Sequence, residues 1–412
     1  MQQLSQLDDL TASEAPLPDI LVVSRVFGPD PGGIQEYAYN RCLQDPERVI
    51  VLTARCSGDQ AFDDAQPFRV YRWPVPTFLR SVPLGGILKQ ILYLIWSFVL
   101  GITLFRRYRY KYIEWCHGYD FPSLLLLSYL LPIRFFVYLH GDDVLCPLRN
   151  PVIRALFERT LRRAQGIVCN SSFTQGYFKA NFQVDTPTYV INPTVRTQKF
   201  GSEAVLENVH TLGANLRDTY NIPESAVVIL SVGRLVRRKG FDQVIENLPA
   251  LLSEGLDVYY LICGRGPMEL ELMSLASRLG VEKRVFFAGY VPDDELASYY
   301  AACDLFSMIT FFDAKAKSIE GFGIVYLEAG YFGKPVIASR SGGVEEAVRH
   351  GESGILVDPN AADEIFKNLH QLCTDQRLRE QLGHKGQELA NHKNLHRSLY
   401  LAQFPHLANT VT

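Results

Sequence analysis

The sequence predicts an α/β protein of two doubly wound parallel sheets. Three observations carry that expectation. Short β-branched or aromatic runs alternate with helix-length segments; the alternation breaks over one polar stretch and then restarts; and 412 residues, 47% of them apolar, suffice for two domains with a full core each.

Taken in order, strand-like runs fall at DILVVSR (19–25), RVIVLTAR (48–55), FRVYRWPV (68–75), YIEWCHG (112–118), FFVYLHG (135–141), GIVCNS (166–171) and TYVINPT (188–194). Helical segments such as IQEYAYNRCL and PVIRALFERTLRRA lie between them, as crossovers between parallel strands require. A polar stretch around 196–222 reads as the joint. Beyond it come VVILSVGRL (227–235), VYYLICG (258–264), VFFAGYV (285–291), DLFSMIT (304–310) and PVIAS (335–339), a second parallel sheet. The expected domains are therefore 1–198, with 1–17 a loose tail, and 199–389; the helical pattern of 390–412 is expected to return to the first domain. Ligands of open sheets bind beyond the carboxyl ends of the strands.

A formal net charge of −3 argues against a nucleic-acid partner, which calls for a basic field. Eight cysteines stand singly with no CxxC pair, the pattern of reduced, buried thiols in a cytosolic protein. The acidic, polar start MQQLSQLDDLTASEAPLPD has neither the basic nor the apolar region of a signal peptide. These features imply a cytoplasmic location. The run ILYLIWSFVLGITLF (91–105) is followed by Arg106, Arg107, Arg109 and Lys111, but Lys89 and Gln90 interrupt it short of the roughly 20 residues that span a bilayer. The segment 83–111 is therefore expected either to pack on a sheet or to lie at the inner membrane face with its basic end on anionic headgroups.

Candidate chemistry clusters at strand ends. In SVGRLVRRKGFD the strand ends at Val232, and Arg234 and Lys239 are the cations expected to meet a diphosphate; Arg237 and Arg238 are as readily a solvated loop. In SIEGFGIVYLEAG, Glu320 and Glu328 bracket Gly321, Phe322 and Gly323 and the start of a helix near Ile324 and Val325, where backbone N–H groups make an anion site. The two carboxylates are expected to reach different parts of one ligand, since carboxylates accept from sugar hydroxyls but repel phosphate. Asp142 and Asp143 could suggest an acidic metal pair, as could Asp293 and Asp294, but Asp293 reads better as the cap of the helix DELASYYAA. No metal cluster and no Ser/His/Asp set is evident, so no metal or cofactor is expected.

The set GGIQEY, SVGRLVRRKG, EGFGIVYLE and PVIASRSGGVEEAVRHGESGILVDP resembles the retaining GT-B glycosyltransferases of family 4, over nearly the whole chain. The resemblance implies two Rossmann-like domains, a nucleoside diphosphate sugar as donor, and transfer with retention through an oxocarbenium-like state. It also implies residue roles. Arg234 and Lys239 would neutralise the diphosphate, Glu328 would hold the ribose, and Glu320 and His140 would lie by the sugar. Backbone from Gly323 to Val325 and the turn at Gly32 and Gly33 would touch phosphate, and Gly289 to Val291 would frame the base.

The expected donor is UDP-glucose or UDP-galactose, with GDP-mannose second, and the expected acceptor is a glycan or a membrane-borne glycolipid. Two departures stand out: a longer loop over 310–318 before Glu320, and INPTVR in place of an asparagine–glycine–valine turn. Competing classes are a sugar-nucleotide epimerase, a phosphorylase, and a non-catalytic partner subunit. A dinucleotide oxidoreductase is disfavoured, because DILVVSRVFGPDPGG lacks the GxGxxG spacing.

Overall fold

The structure is a computed structural model and describes residues 19–75, 85–315 and 317–391. By contacts the chain forms two compact units, one of residues 1–138, 155–167 and 185–187, the other of 139–154, 168–184 and 188–412. The loops that follow the fifth and sixth strands thus group with the second unit rather than with the sheet they leave. The expected tail at 1–17 and most of the helix at 390–412 lie outside the described residues.

Seven strands make the first sheet: β1 (Ile20–Val23), β2 (Val49–Ala54), β3 (Arg69–Trp73), β4 (Tyr112–Trp115), β5 (Arg134–Leu139), β6 (Gly166–Cys169) and β7 (Thr188–Val190), in the order β3-β2-β1-β4-β5-β6-β7. Six make the second: β8 (Val227–Val232), β9 (Val258–Cys263), β10 (Val285–Gly289), β11 (Leu305–Met308), β12 (Val336–Ser339) and β13 (Gly354–Val357), in the order β10-β9-β8-β11-β12-β13. Each sheet is doubly wound, as expected, with its order reversing between β1 and β4 or between β8 and β11. Residues of β1 and β2 are buried on both faces, which explains their unbroken apolar runs.

Three differences from the sequence reading have physical causes. The joint near 196–222 is largely helical: Glu203–Glu207 and Val209–Thr219 form helices. The second packs so closely on the helix Leu296–Ala302 that a Cβ on Gly213 would lie 2.8 Å from the backbone of Ala301. β13 was not anticipated, its four residues being hidden between the turn at Gly351 and the turn-forming Asp358, Pro359 and Asn360. Asp293 does not cap its helix, which begins at Leu296; its carboxylate instead pairs with Arg196 at 2.9 Å.

The apolar segment is a helix of 24 residues, Gly85–Tyr108. Lys89 and Gln90 do not end it, so the expectation that the segment falls short is corrected: Leu88–Tyr108 is long and apolar enough to cross a membrane, by length and composition only. One face is fixed to the first unit, through a 2.9 Å hydrogen bond from Ser97 to Ser123 and the Tyr110 hydroxyl on the Gly101 carbonyl. Along the other face Leu88, Ile91, Ile95 and Val99 are 44–50% exposed.

Six of the eight free cysteines are buried, and Cys56 and Cys146 are half-buried. A charged network lies beneath the first sheet. Arg41 donates to both oxygens of Glu114 (2.8–3.0 Å) and to Asp45, and the Tyr138 hydroxyl donates to Glu114; the Arg41 and Glu114 side chains have no exposure. Removing one partner strands the other charge. Glu114→Ala is expected to destabilise the first unit by about 3–5 kcal/mol, read as a lower urea midpoint, with Glu114→Gln costing less.

Candidate active site

The second sheet reverses its order between β8 and β11, and the loops leaving these strands build the site. After β8, Gly233 turns the chain and Arg237–Lys239 form a single 3-10 turn ending at Gly240, whose φ is +69°. A Cβ there would lie 2.1 Å from the Ile309 carbonyl oxygen, so glycine lets the two loops touch. The Phe311 N–H then donates to the Arg238 carbonyl at 2.9 Å.

This contact brings Glu320 onto the cations. Its Oε2 accepts from Lys239 Nζ at 2.6 Å and from Arg238 Nη1 at 2.8 Å, and all three side chains are only 13–16% exposed. Burial opposes ionisation of Glu320, but Lys239 and then Arg238 outweigh it and bring the carboxyl down to about 2. Burial, with Arg238 and Arg234 close by, pulls Lys239 below its ordinary value despite Glu320. Two cations thus share one carboxylate, with Arg234 close enough to act on Lys239 and Asp142 on Arg238, and the positive surplus is one that an anion would correct.

Arg234, exposed, makes no ion pair among the described residues, whereas Arg237 points away to Glu271 at 3.6 Å. Arg238, which the sequence treats as no better a candidate than Arg237, belongs to the cluster. A 3-10 turn rotates each residue by about 120° from the last, so the neighbours diverge.

The backbone of Glu320 is clamped as firmly as its side chain. The loop after β12 carries Gly342, at φ +65°, and Gly343, which donates to the Glu320 carbonyl at 3.0 Å. A Cβ on Gly342 would sit 2.1 Å from that carbonyl oxygen, and one on Gly343 2.0 Å from the Gly321 oxygen. The SGG motif is therefore a requirement of close approach. Gly321 lies against His140, with a Cβ position 2.0 Å from the His140 carbonyl oxygen. Gly323, at φ +89°, begins the helix Ile324–Tyr331; Phe322 is buried, while Ile324 and Val325 are half-buried.

Asp143, itself buried, orders the loop of His140 by accepting from the His140 and Gly141 N–H groups at 2.8 and 3.1 Å. Asp142 instead accepts from Ser318 Oγ (2.9 Å) and the Ile319 N–H (3.2 Å). Neither is free for a metal pair, and among the described residues no group of three His, Cys, Asp or Glu converges.

At the ends of β8, β9 and β10, Gly233, Gly264 and Gly289 meet in turn: Gly233 N donates to Cys263 O and Gly264 N to Gly289 O. A Cβ on Gly264 would lie 1.9 Å from the Gly233 oxygen. Gly289 is thereby tied to the loop of Arg234, while the Val291 side chain turns into the core with Leu261 and Leu296. Gly32 and Gly33 belong to the first unit, where they are exposed and start the helix Gly33–Gln44 as expected.

Glu328 is more enclosed than its spacing suggests. Its side chain is 2% exposed, with one oxygen taken by the Lys199 ammonium and the other by the Tyr300 hydroxyl at 2.9 Å. Held by one partner on each oxygen, this carboxylate anchors its helix, and each oxygen keeps a second lone pair. Lys199 and Tyr300 carry no sequence signal that pairs them with it.

Comparison with known proteins agrees with this architecture. The model described as Glycosyltransferase Family 4 matches residues 31–199, and that described as Glycosyl transferases group 1 matches 214–389. A GDP-mannose-dependent alpha-(1-6)-phosphatidylinositol monomannoside mannosyltransferase of Mycolicibacterium smegmatis is 28% identical, over 90% of this chain and 93% of its own. A GDP-mannose-dependent monoacylated alpha-(1-6)-phosphatidylinositol monomannoside mannosyltransferase of Corynebacterium glutamicum is also 28% identical, over 89% and 91%. Among solved structures, Anabaena HepE in complex with UDP-glucose superposes with a TM-score of 0.72 at 20% identity, covering 95% of this chain and 99% of that one.

The ion pairs make a pH-dependent contribution with a definite sign. The folded value for Glu320, about 2, lies below its ordinary 4.5, so the stabilisation is present above pH 4.5 and fades as pH falls toward 2. Glu320→Gln is expected to lower the unfolding free energy at pH 7 by on the order of 3 kcal/mol, read as a lower urea midpoint, and the gap to wild type should close across that acid window.

Proposed function

The chain belongs to the GT-B glycosyltransferases of the family 4 type, and we propose that it transfers mannose, with retention of configuration, from GDP-mannose to a lipid-linked acceptor at the cytoplasmic face of a membrane. The observation that carries this reading is the pairing of Arg238 and Lys239 with one ionised Glu320, with Arg234 close to Lys239, beside a helix that begins at a left-handed glycine. A diphosphate supplies the missing negative charge. Arg234, which has no ion pair among the described residues, and Lys239 neutralise the leaving group as the glycosidic bond to the donor breaks. Glu320 accepts from a sugar hydroxyl while Arg238 keeps it ionised, and His140 lies on the adjoining loop. The departing phosphate oxygen takes the acceptor proton on the same face of the ring, so the protein supplies orientation and charge rather than a nucleophile.

The sequence ranks UDP-glucose and UDP-galactose before GDP-mannose. The mannosyltransferases that match some nine tenths of the chain are named for GDP-mannose and for phosphatidylinositol mannosides, which reverses that order and favours a glycolipid acceptor. The helix Gly85–Tyr108 supports the same acceptor class: it contains no acidic residue, exposes an apolar stripe, and ends in Arg106 and Arg107.

Two experiments test the reading. Wild type incubated in EDTA with GDP-, UDP- and ADP-sugars is expected to release GDP from GDP-mannose, and Glu320→Ala and Lys239→Ala should each reduce release at least a hundredfold. Release from a UDP-hexose alone would move the donor, release dependent on free phosphate would indicate a phosphorylase, and epimerised donor without transfer an epimerase. In vesicle flotation, the protein should rise with anionic but not with neutral vesicles, and Ile91→Glu with Ile95→Glu should abolish flotation.

A further inference from the structure

The loop between β11 and Glu320 raises a mechanical problem. A carboxylate that must stay in register with Lys239 and Arg238 follows the loop 311–318, which exposes Phe312 at its base and Lys315 and Lys317 beyond it. Slack in such a segment would pull against the contacts that hold Glu320. Two features remove it. Asp313 and Ser318 exchange backbone hydrogen bonds of 2.9 and 3.1 Å and close the insertion into a small hairpin. Past that closure, Asp142 takes the Ser318 hydroxyl on one oxygen and the Ile319 N–H on the other, leaving Glu320 as the next residue.

Asp142 is well placed to act on both sides of the site. It follows His140 by two residues, starts the short helix Asp142–Leu145, and its negative charge also favours the charged form of Arg238. His140 and Glu320 are therefore tied by one side chain through the segments that carry them. All of these residues lie in the second unit.

We propose that Asp142 is a positioning residue: by gripping Ser318 and Ile319 it holds Glu320 in register with His140 and isolates both from motion of the 311–318 hairpin. The proposal rests on the glycosyltransferase reading above for its kinetic consequence, but not for its structural one. Misplacement of a reacting group by about 1 Å can cost on the order of a hundredfold in rate, so a modest loosening is expected to show in kcat while donor binding through Arg234 and Lys239 is spared.

The test uses Asp142→Ala, Asp142→Asn and Ser318→Ala in the full chain. Asn keeps an oxygen for the Ile319 N–H and an amide for the Ser318 hydroxyl, so it preserves the grip without the charge. Asp142→Ala should lower kcat about tenfold or more with the donor KM within about twofold of wild type, Asp142→Asn should recover most of the loss, and Ser318→Ala should add nothing to Asp142→Ala. Asp142→Ala with wild-type kcat, an equal rise in donor KM, or an Asn variant as impaired as Ala would overturn the proposal. Hydrogen exchange at the Ile319 amide decides the structural claim without any activity: slow in wild type and Asp142→Asn, fast in Asp142→Ala. Unchanged exchange in the Ala variant would refute the grip, whereas a wild type that releases no nucleoside diphosphate while the exchange pattern holds would fault the donor reading alone.

Discussion

The constraint on which the site depends is the meeting of one carboxylate with two cations, Glu320 with Arg238 and Lys239, in a nearly closed environment. Burying a charge costs free energy unless it is matched, and a buried pair repays that cost only with good geometry and further hydrogen bonds. Here the match is deliberately incomplete. Two cations on one carboxylate, with Arg234 adding to the field, leave a positive surplus that favours any anion able to approach. An arrangement with equal numbers of each charge would stabilise the fold as well and bind a diphosphate less.

Glycine supplies the geometry that this electrostatic arrangement needs. Gly240 against Ile309, Gly342 and Gly343 against Glu320 and Gly321, and Gly264 against Gly233 are all backbone-to-backbone approaches that a methyl group would block. Their effect is to bring the loops after β8, β11 and β12 to one point, so that charges distant in sequence share a single environment. The left-handed backbone of Gly240, Gly323 and Gly342 adds a second reason why no other residue serves there.

How much of this could be read from the sequence depended on whether the signal was local. Strand runs such as ILVV and VVILSV announce themselves because both faces are buried and β-branched residues crowd together, and the glycines beside Glu320 stand within the motif that they serve. β13 escaped because Gly354–Val357 is short and framed by turn residues. Arg238 escaped because letters do not reveal the rotation of a 3-10 turn. The buried pairs were out of reach for a simpler reason: Lys199 precedes Glu328 by 129 residues and Arg41 precedes Glu114 by 73, and no pattern within one segment predicts that such side chains meet.

The two glutamates of EGFGIVYLE show what spacing alone conveys. It conveys that the residues differ in setting, since one precedes the helix and the other lies on it, but not which partners hold each of them. Glu320 belongs to a loop, where its backbone is held from outside by Gly343 and its side chain reaches neighbouring cations. Glu328 follows the start of the helix by about a turn, within a stretch, Tyr326 to Gly330, in which every residue is buried, and there an ionised group persists only with partners. Lys199 and Tyr300 are those partners, so Glu328 joins the helix to the segment that precedes the second sheet. Spacing thus places both carboxylates at one helix, and only their partners, distant in sequence, separate a loop residue held by cations from a helix residue anchored from within.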